Sequence, residues 1–181
     1  FKNHGGSALP LRDGKGTCFE GGQRVPCVMW GPGRIPAGTE CGELASTIDL
    51  LPTIAALVGK PLDDGRKIDG MDISSLLTGD TASPRKEFLY YTAQGELAGI
   101  RVDPWKLLLK SRGGRRAKAN QAPILFNLEK DISEADNLAE QHPDKVAELT
   151  ALMKKRDAEI GEGERQPWTT EKAHPWPDEL P

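Results

Sequence analysis

Long apolar runs and an excess of positive charge are both missing from this chain. No stretch is apolar for long enough to cross a bilayer as a helix, and the N-terminus lacks the charged, apolar, small-residue order of a signal peptide. With 24 Lys and Arg against 27 Asp and Glu, the formal net charge is -3, which gives no reason to expect a nucleic-acid partner. Cysteine is sparse. The three present, Cys18, Cys27 and Cys41, have no Cys-x-x-Cys spacing and none neighbours a histidine in sequence. That pattern does not fit zinc and leaves a nucleophilic cysteine unsupported; it reads as ordinary buried or half-buried thiols with room for one disulfide. No internal repeat of fixed period is visible.

What is present is enough for a core: 181 residues with 37% hydrophobic content, the length of one domain or one and a half. The chain opens at Phe1 inside a glycine-rich stretch, His4-Gly5-Gly6-Ser7, which leads to the expectation of a piece of a longer protein. The organising stretch runs from Leu11 to Pro26, with Lys15 between Gly14 and Gly16. Glycines on both sides free the backbone for tight conformations and let a charged group approach the ammonium without a Cβ in the way. This is the layout of an anion contact. Gly21 and Gly22 allow a second sharp turn, and Arg24 to Trp30 reads as a buried strand entered past Pro26. The motif is not a phosphate loop, because Leu9 stands five before Gly14 and Gly16 follows the lysine where Ser or Thr is required.

Gly31 to Gly38 is turn-rich. Leu44, Ile48, Leu51, Ala55 and Val58 then recur at spacings that predict one apolar helix face, with Ser46 and Thr47 as caps, Gly59 as a stop and Pro52 in the first turn or at a kink. Asp49 reads as a capping carboxylate. Asp69 and Asp72 flank Gly70 in what reads as a turn, without a third oxygen ligand to make a metal site, and a short helical piece follows at Leu76 and Leu77.

From Glu87 the period changes. Phe88 to Thr92, Leu97 to Val102, Trp105 to Lys110 and Ile124 to Leu128 are four short runs joined by short links, which predicts an antiparallel sheet. Val146, Leu149, Met153 and Ile160 predict an amphipathic helix from near Pro143 that covers one face of it. Between the third and fourth runs, Lys110, Arg112, Arg115, Arg116 and Lys118 form a basic loop. It reads as a solvated loop balanced by the acidic stretch from Glu129 to Glu140, with a rim contact for an anionic polymer as the alternative. The tail holds Trp168 and Trp176 among prolines and charges, and reads as an extended strap or a disordered end.

Several islands in order resemble the sulfatase family, the formylglycine-dependent arylsulfatase type within the alkaline-phosphatase-like superfamily. They are Gly14-Lys15-Gly16-Thr17, Phe19-Glu20-Gly21-Gly22, Arg24-Val25-Pro26, Gly31-Pro32-Gly33 and Ala45 to Thr53. Ile68-Asp69-Gly70, Trp105-Lys106-Leu107, Leu125 to Leu128, Asp131, Glu134 and Asn137-Leu138 continue the series. The resemblance implies an α/β fold: the C-terminal end of an alkaline-phosphatase-like α/β domain over 1–84, a small four-stranded antiparallel sheet packed by a C-terminal helix over 85–162, and an extended tail over 163–181. It implies hydrolysis of sulfate monoesters, with Lys15 as the sulfate-binding lysine and His4 as a weaker substrate-binding candidate on the cleft rim. Arg12 and Glu20 would organise the loop, and Arg24 would pair with Glu20.

The family's Cys/Ser-x-Pro-x-Arg signature, whose first residue becomes formylglycine, and its paired calcium-binding aspartates do not occur in this sequence. The resemblance therefore implies Ca2+ and a formylglycine nucleophile supplied by an N-terminal portion outside the chain. It also implies that the chain alone is inactive, and no metal ligand is assigned within it. A sulfated small molecule or sulfated glycan is the implied substrate, with no nucleic-acid or membrane partner, and the implied location is periplasmic or secreted. Two alternatives stand beside this reading: a phosphate or phosphonate monoesterase of the same superfamily, and a non-catalytic remnant that binds anionic glycans.

Overall fold

The computed structural model describes residues 6–60, 62, 68–79, 82–111 and 121–161. Its centre is the predicted sheet: β1 (Glu87–Tyr91), β2 (Leu97–Val102), β3 (Trp105–Leu108) and β4 (Ile124–Asn127), antiparallel and in chain order. Short links account for the β1–β2–β3 order, since consecutive strands joined by a few residues lie side by side, while β4 follows β3 across the longer stretch 109–123. In the first link Gly95 takes a φ of 77°, a left-handed conformation open to glycine, while Thr92 N–H bonds the Glu96 carbonyl at 2.9 Å. The register shifts between Tyr90 and Tyr91, which pair with Gly99 and Leu97, so Ala98 is the extra residue of a bulge.

Cross-strand pairing sorts the side chains onto two faces. One face carries Ile100, Leu107 and Leu125, and it is covered by α4 (Pro143–Gly161) through Leu149 and Met153, with Val146 at the margin. Two polar ties fix the helix further: Tyr91 Oη donates to Asp157 at 2.8 Å, and Arg156 Nε meets Glu87 at 2.5 Å. Ile160, expected on the same apolar stripe, is exposed near the helix end. The other face carries Tyr90, Leu108 and Phe126, and here the cover is the segment that bears Lys15, through buried Cys18 and Phe19. The sheet is thus filled between a helix and a loop. Fully burying an aromatic or aliphatic side chain such as Phe19 contributes about 1.5–3 kcal/mol, so burial of Phe19 helps to hold the loop on the sheet.

The first half of the chain is otherwise built of short helices: α1 (Glu20–Gln23), a 3-10 turn (Thr47–Asp49), α2 (Leu50–Leu57) and α3 (Ser74–Leu77). Gly21 and Gly22 lie inside α1 rather than in a turn. The expected strand from Arg24 to Trp30 does not form; the segment lacks regular structure, with Val25 68%, Val28 93% and Trp30 85% exposed. A strand draws its stability from a partner ladder, and no strand among the described residues lies beside this one.

The expected face of α2 is also corrected. Ile48, Leu51 and Val58 point outward, and the buried positions are Pro52, Thr53 and Ala55. Leu50, Ile54 and Leu57 are exposed as well, so the helix is apolar around most of its girth and periodicity alone does not choose a side. Polar bonds choose it. Thr53 Oγ1 donates to the Asp49 carbonyl at 2.6 Å and accepts from Ile73 N–H at 3.0 Å, drawing that side against the residues before α3. Gly59, with a φ of 71°, ends α2 as expected.

Candidate functional site

Lys15 sits on an exposed turn whose backbone is tied to itself. Thr17 Oγ1 donates to the Gly14 carbonyl at 3.0 Å, Gln23 Nε2 to the Thr17 carbonyl at 2.8 Å, and Gly21 N–H to the Arg12 carbonyl at 2.9 Å. Gly16 has a φ of 88°, the left-handed turn that glycine accepts without strain. The pair Gly21-Gly22 serves another purpose: a Cβ on Gly22 would lie 2.4 Å from the Thr17 carbonyl oxygen and 2.7 Å from that of Gly14. Glycine is needed there so that the turn can lie directly on α1. Among the described residues no carboxylate pairs with Lys15, so its ammonium is offered outward from a braced backbone.

Beneath the turn lies a buried polar cluster. Glu20, 1% exposed, receives Lys106 Nζ at 2.7 Å, Tyr90 Oη at 3.2 Å and Arg24 Nε at 2.5 Å, with Arg101 Nη1 at 3.4 Å. Lys106, fully buried in β3, is also 2.9 Å from Glu134 Oε1, an ion pair set off the hydrogen-bonding direction. The other oxygen of Glu134 accepts the Glu20 N–H at 2.7 Å, and its backbone carbonyl accepts Arg12 Nη1 at 2.6 Å. Burial pushes the Glu20 carboxyl upward, but Lys106 and then Arg24 outweigh it and hold Glu20 below the ordinary glutamate range. For Glu134 burial wins: Lys106 and the Glu20 amide pull its carboxyl down without cancelling the rise, and the charge of Glu20 adds to it. Tyr90 is pushed well up by burial and by the same Glu20 charge.

Comparison with known proteins gives the family of the chain. The sulfatase family matches residues 2–60, and the family described as the C-terminal region of aryl-sulfatase matches residues 83–179. Arylsulfatase A of Bos taurus is 36% identical over 170 residues, covering 84% of this chain and 33% of the relative. The chain belongs to the sulfatase family. Among solved structures, the PsFucS1 sulfatase from Pseudoalteromonas sp. superposes with a TM-score of 0.73 at 26% identity, covering 87% of this chain and 34% of that one. Ps i-CgsB in complex with k-i-k-neocarrahexaose gives 0.65 at 28%, covering 81% and 32%. This sulfatase chain therefore spans about a third of the length of the relatives it matches.

Of the residues expected at the sulfatase site, Lys15 is placed on its braced turn and the Arg24–Glu20 pair forms as expected, while His4 lies outside the described residues. Arg112, Arg115, Arg116, Lys118, Trp168 and Trp176 lie outside them as well. Lys110 pairs with Glu96 at 2.9 Å, across the hairpin, and not with the acidic stretch after Glu129. Cys18 is buried, whereas Cys27 and Cys41 are exposed, and all three are free thiols. Among the described residues no three His, Cys, Asp or Glu side chains gather as a metal site. The cluster of Lys106, Glu134 and Tyr90 went unforeseen. Lys106 and Glu134 both stood among the islands of the resemblance, and Lys106 is besides a charge inside the apolar run Trp105 to Leu109, where a lysine is seldom buried without a partner.

Proposed function

We propose that this chain supplies the sulfate-binding lysine, Lys15, to a sulfatase that hydrolyses sulfate monoesters, the nucleophile and calcium ligands being contributed by residues outside it. The observation that carries the reading is the Lys15 turn: an exposed ammonium, unpaired among the described residues, on a backbone braced by three hydrogen bonds in a chain of this family. Negative charge on the sulfate oxygens, and on the oxygen that leaves, is stabilised best by a charge already in place, because no reorganisation is then needed during the reaction. The buried cluster under the turn supplies that fixity. The substrate class is a sulfated small molecule or sulfated glycan, a reading supported by the carbohydrate-bound relative. Formylglycine would supply the attacking oxygen, and a periplasmic or secreted location goes with the same reading.

The test is a side-by-side assay of an aryl sulfate and the matching aryl phosphate with the full-length gene product. Preferential sulfate hydrolysis is expected. Preferential phosphate hydrolysis makes the protein a phosphate monoesterase of the same superfamily, and no hydrolysis of either, with salt-sensitive glycan binding, makes it a binding remnant. The 181 residues alone are expected to show no turnover.

A further inference from the structure

Arg12 and Glu20 bracket Lys15, and both end on one residue. Arg12 Nη1 donates to the Glu134 carbonyl at 2.6 Å and Glu20 N–H to Glu134 Oε2 at 2.7 Å. Lys106 closes the arrangement from the sheet, 2.7 Å from Glu20 and 2.9 Å from Glu134. Glu134 has a φ of 54°, a left-handed conformation that a residue with a side chain seldom takes and that its surroundings must hold in place. Burying a lysine and two glutamates adds little stability over an apolar packing of the same volume. What the cluster does provide is a single location for the two ends of the Lys15 loop.

We propose that Lys106 and Glu134 are positioning residues for Lys15, clamping both ends of its loop to the sheet so that the ammonium meets its anion in one place. This rests on the reading of Lys15 as the sulfate contact. Without Lys106, the buried Glu20 and Glu134 carboxylates face each other with one fewer cation. The repulsion is relieved when Glu20 or Glu134 swings away, and either movement releases one end of the loop. A displacement of about 1 Å at a charge contact lowers a rate by about 10²-fold.

A double-mutant cycle between Lys106→Met and Lys15→Ala, read as kcat/KM toward an aryl sulfate with the full-length gene product, separates positioning from general destabilisation. With Lys15 present, Lys106→Met is expected to lower kcat/KM by about 10²-fold. In the Lys15→Ala background the loss should shrink to about twofold or less, because no ammonium is left to misplace. Equal losses in both backgrounds overturn the positioning role. If Lys15→Ala alone changes nothing, the sulfate-contact reading fails instead, so the two failures are told apart. Should Lys106→Met not fold, Glu134→Gln replaces it in the same cycle: it keeps size and shape, and a loss that depends on Lys15 supports the proposal while one that does not overturns it.

Discussion

Arg85 lays its guanidinium along both carboxylate oxygens of Asp49, and the pair is shut off from solvent. The same Arg85 donates to the Asp69 carbonyl at 2.9 Å, while Asp49 accepts the amides of Ser46 and Met71, each at 2.8 Å. The expected cap is therefore also a staple joining the start of α2, the turn around Gly70 and the lead into β1. Asp49→Ala leaves a buried guanidinium without its partner and is expected to cost about 3–5 kcal/mol. The urea midpoint should fall with an unchanged slope; an unmoved midpoint would show the pair to be dispensable.

Acid should weaken this staple. Burial alone would raise the Asp49 carboxyl, but the Arg85 hydrogen bond, the Met71 and Ser46 amides and the Arg85 charge together hold it below the usual aspartate range. Its folded value is depressed, so its contribution is fully present above about pH 4, the ordinary aspartate value, and is lost as pH falls through the folded value. Glu134 is raised, so its contribution is full below about pH 4.3, the ordinary glutamate value, and is lost as pH rises through the folded value. In urea unfolding followed against pH, the deficit of Asp49→Asn should narrow below about pH 4, and that of Glu134→Gln should narrow as pH rises from about 4.3. Parallel curves for the two variants would contradict both assignments.

Lys15→Ala is expected to leave the fold intact, since the side chain is exposed and unpaired among the described residues. In the full-length gene product it should lower kcat by about 10²–10³-fold, the range for removing one preorganised charge or hydrogen-bond contact, about 2.7–4 kcal/mol. Kinetics on an aryl sulfate, with far-ultraviolet circular dichroism as the folding control, decide it. An unchanged kcat would take Lys15 out of the site.

Gly22→Ala should harm the same site by a different route. The added Cβ meets the Thr17 and Gly14 carbonyl oxygens at 2.4 and 2.7 Å, so the lysine turn must lift off α1. Forced overpacking of this kind typically costs about 1–3 kcal/mol. Gly42→Ala is the comparison, because its Cβ would meet nothing within 4 Å. Thermal unfolding should separate the two, and equal melting temperatures would remove the close approach as the reason for glycine.

The sheet and α4 were legible in the residues because their causes are local. Short strand-like runs joined by short links, and the spacing of Val146, Leu149 and Met153, act over a few neighbours in the chain. The Arg24–Glu20 pair, expected beside the family resemblance, forms across the one turn of α1, a helix that the residues themselves did not announce. The strand expected at Arg24 to Trp30 failed because a strand needs a partner from elsewhere, and the α2 face was misjudged because apolar residues surround that helix.

By itself, then, the amino-acid sequence determined the four strands, their order, the covering helix and a lysine held on a glycine turn. The tertiary structure alone decided that this turn covers the second face of the sheet, and that its ends are fastened at Glu134. Glu20 is separated from Lys106 by 86 positions and from Glu134 by 114. No periodicity or propensity acts over such distances. Their meeting is set by which face of the sheet was left to be covered, and by the requirement that a lysine buried there find its counter-charges.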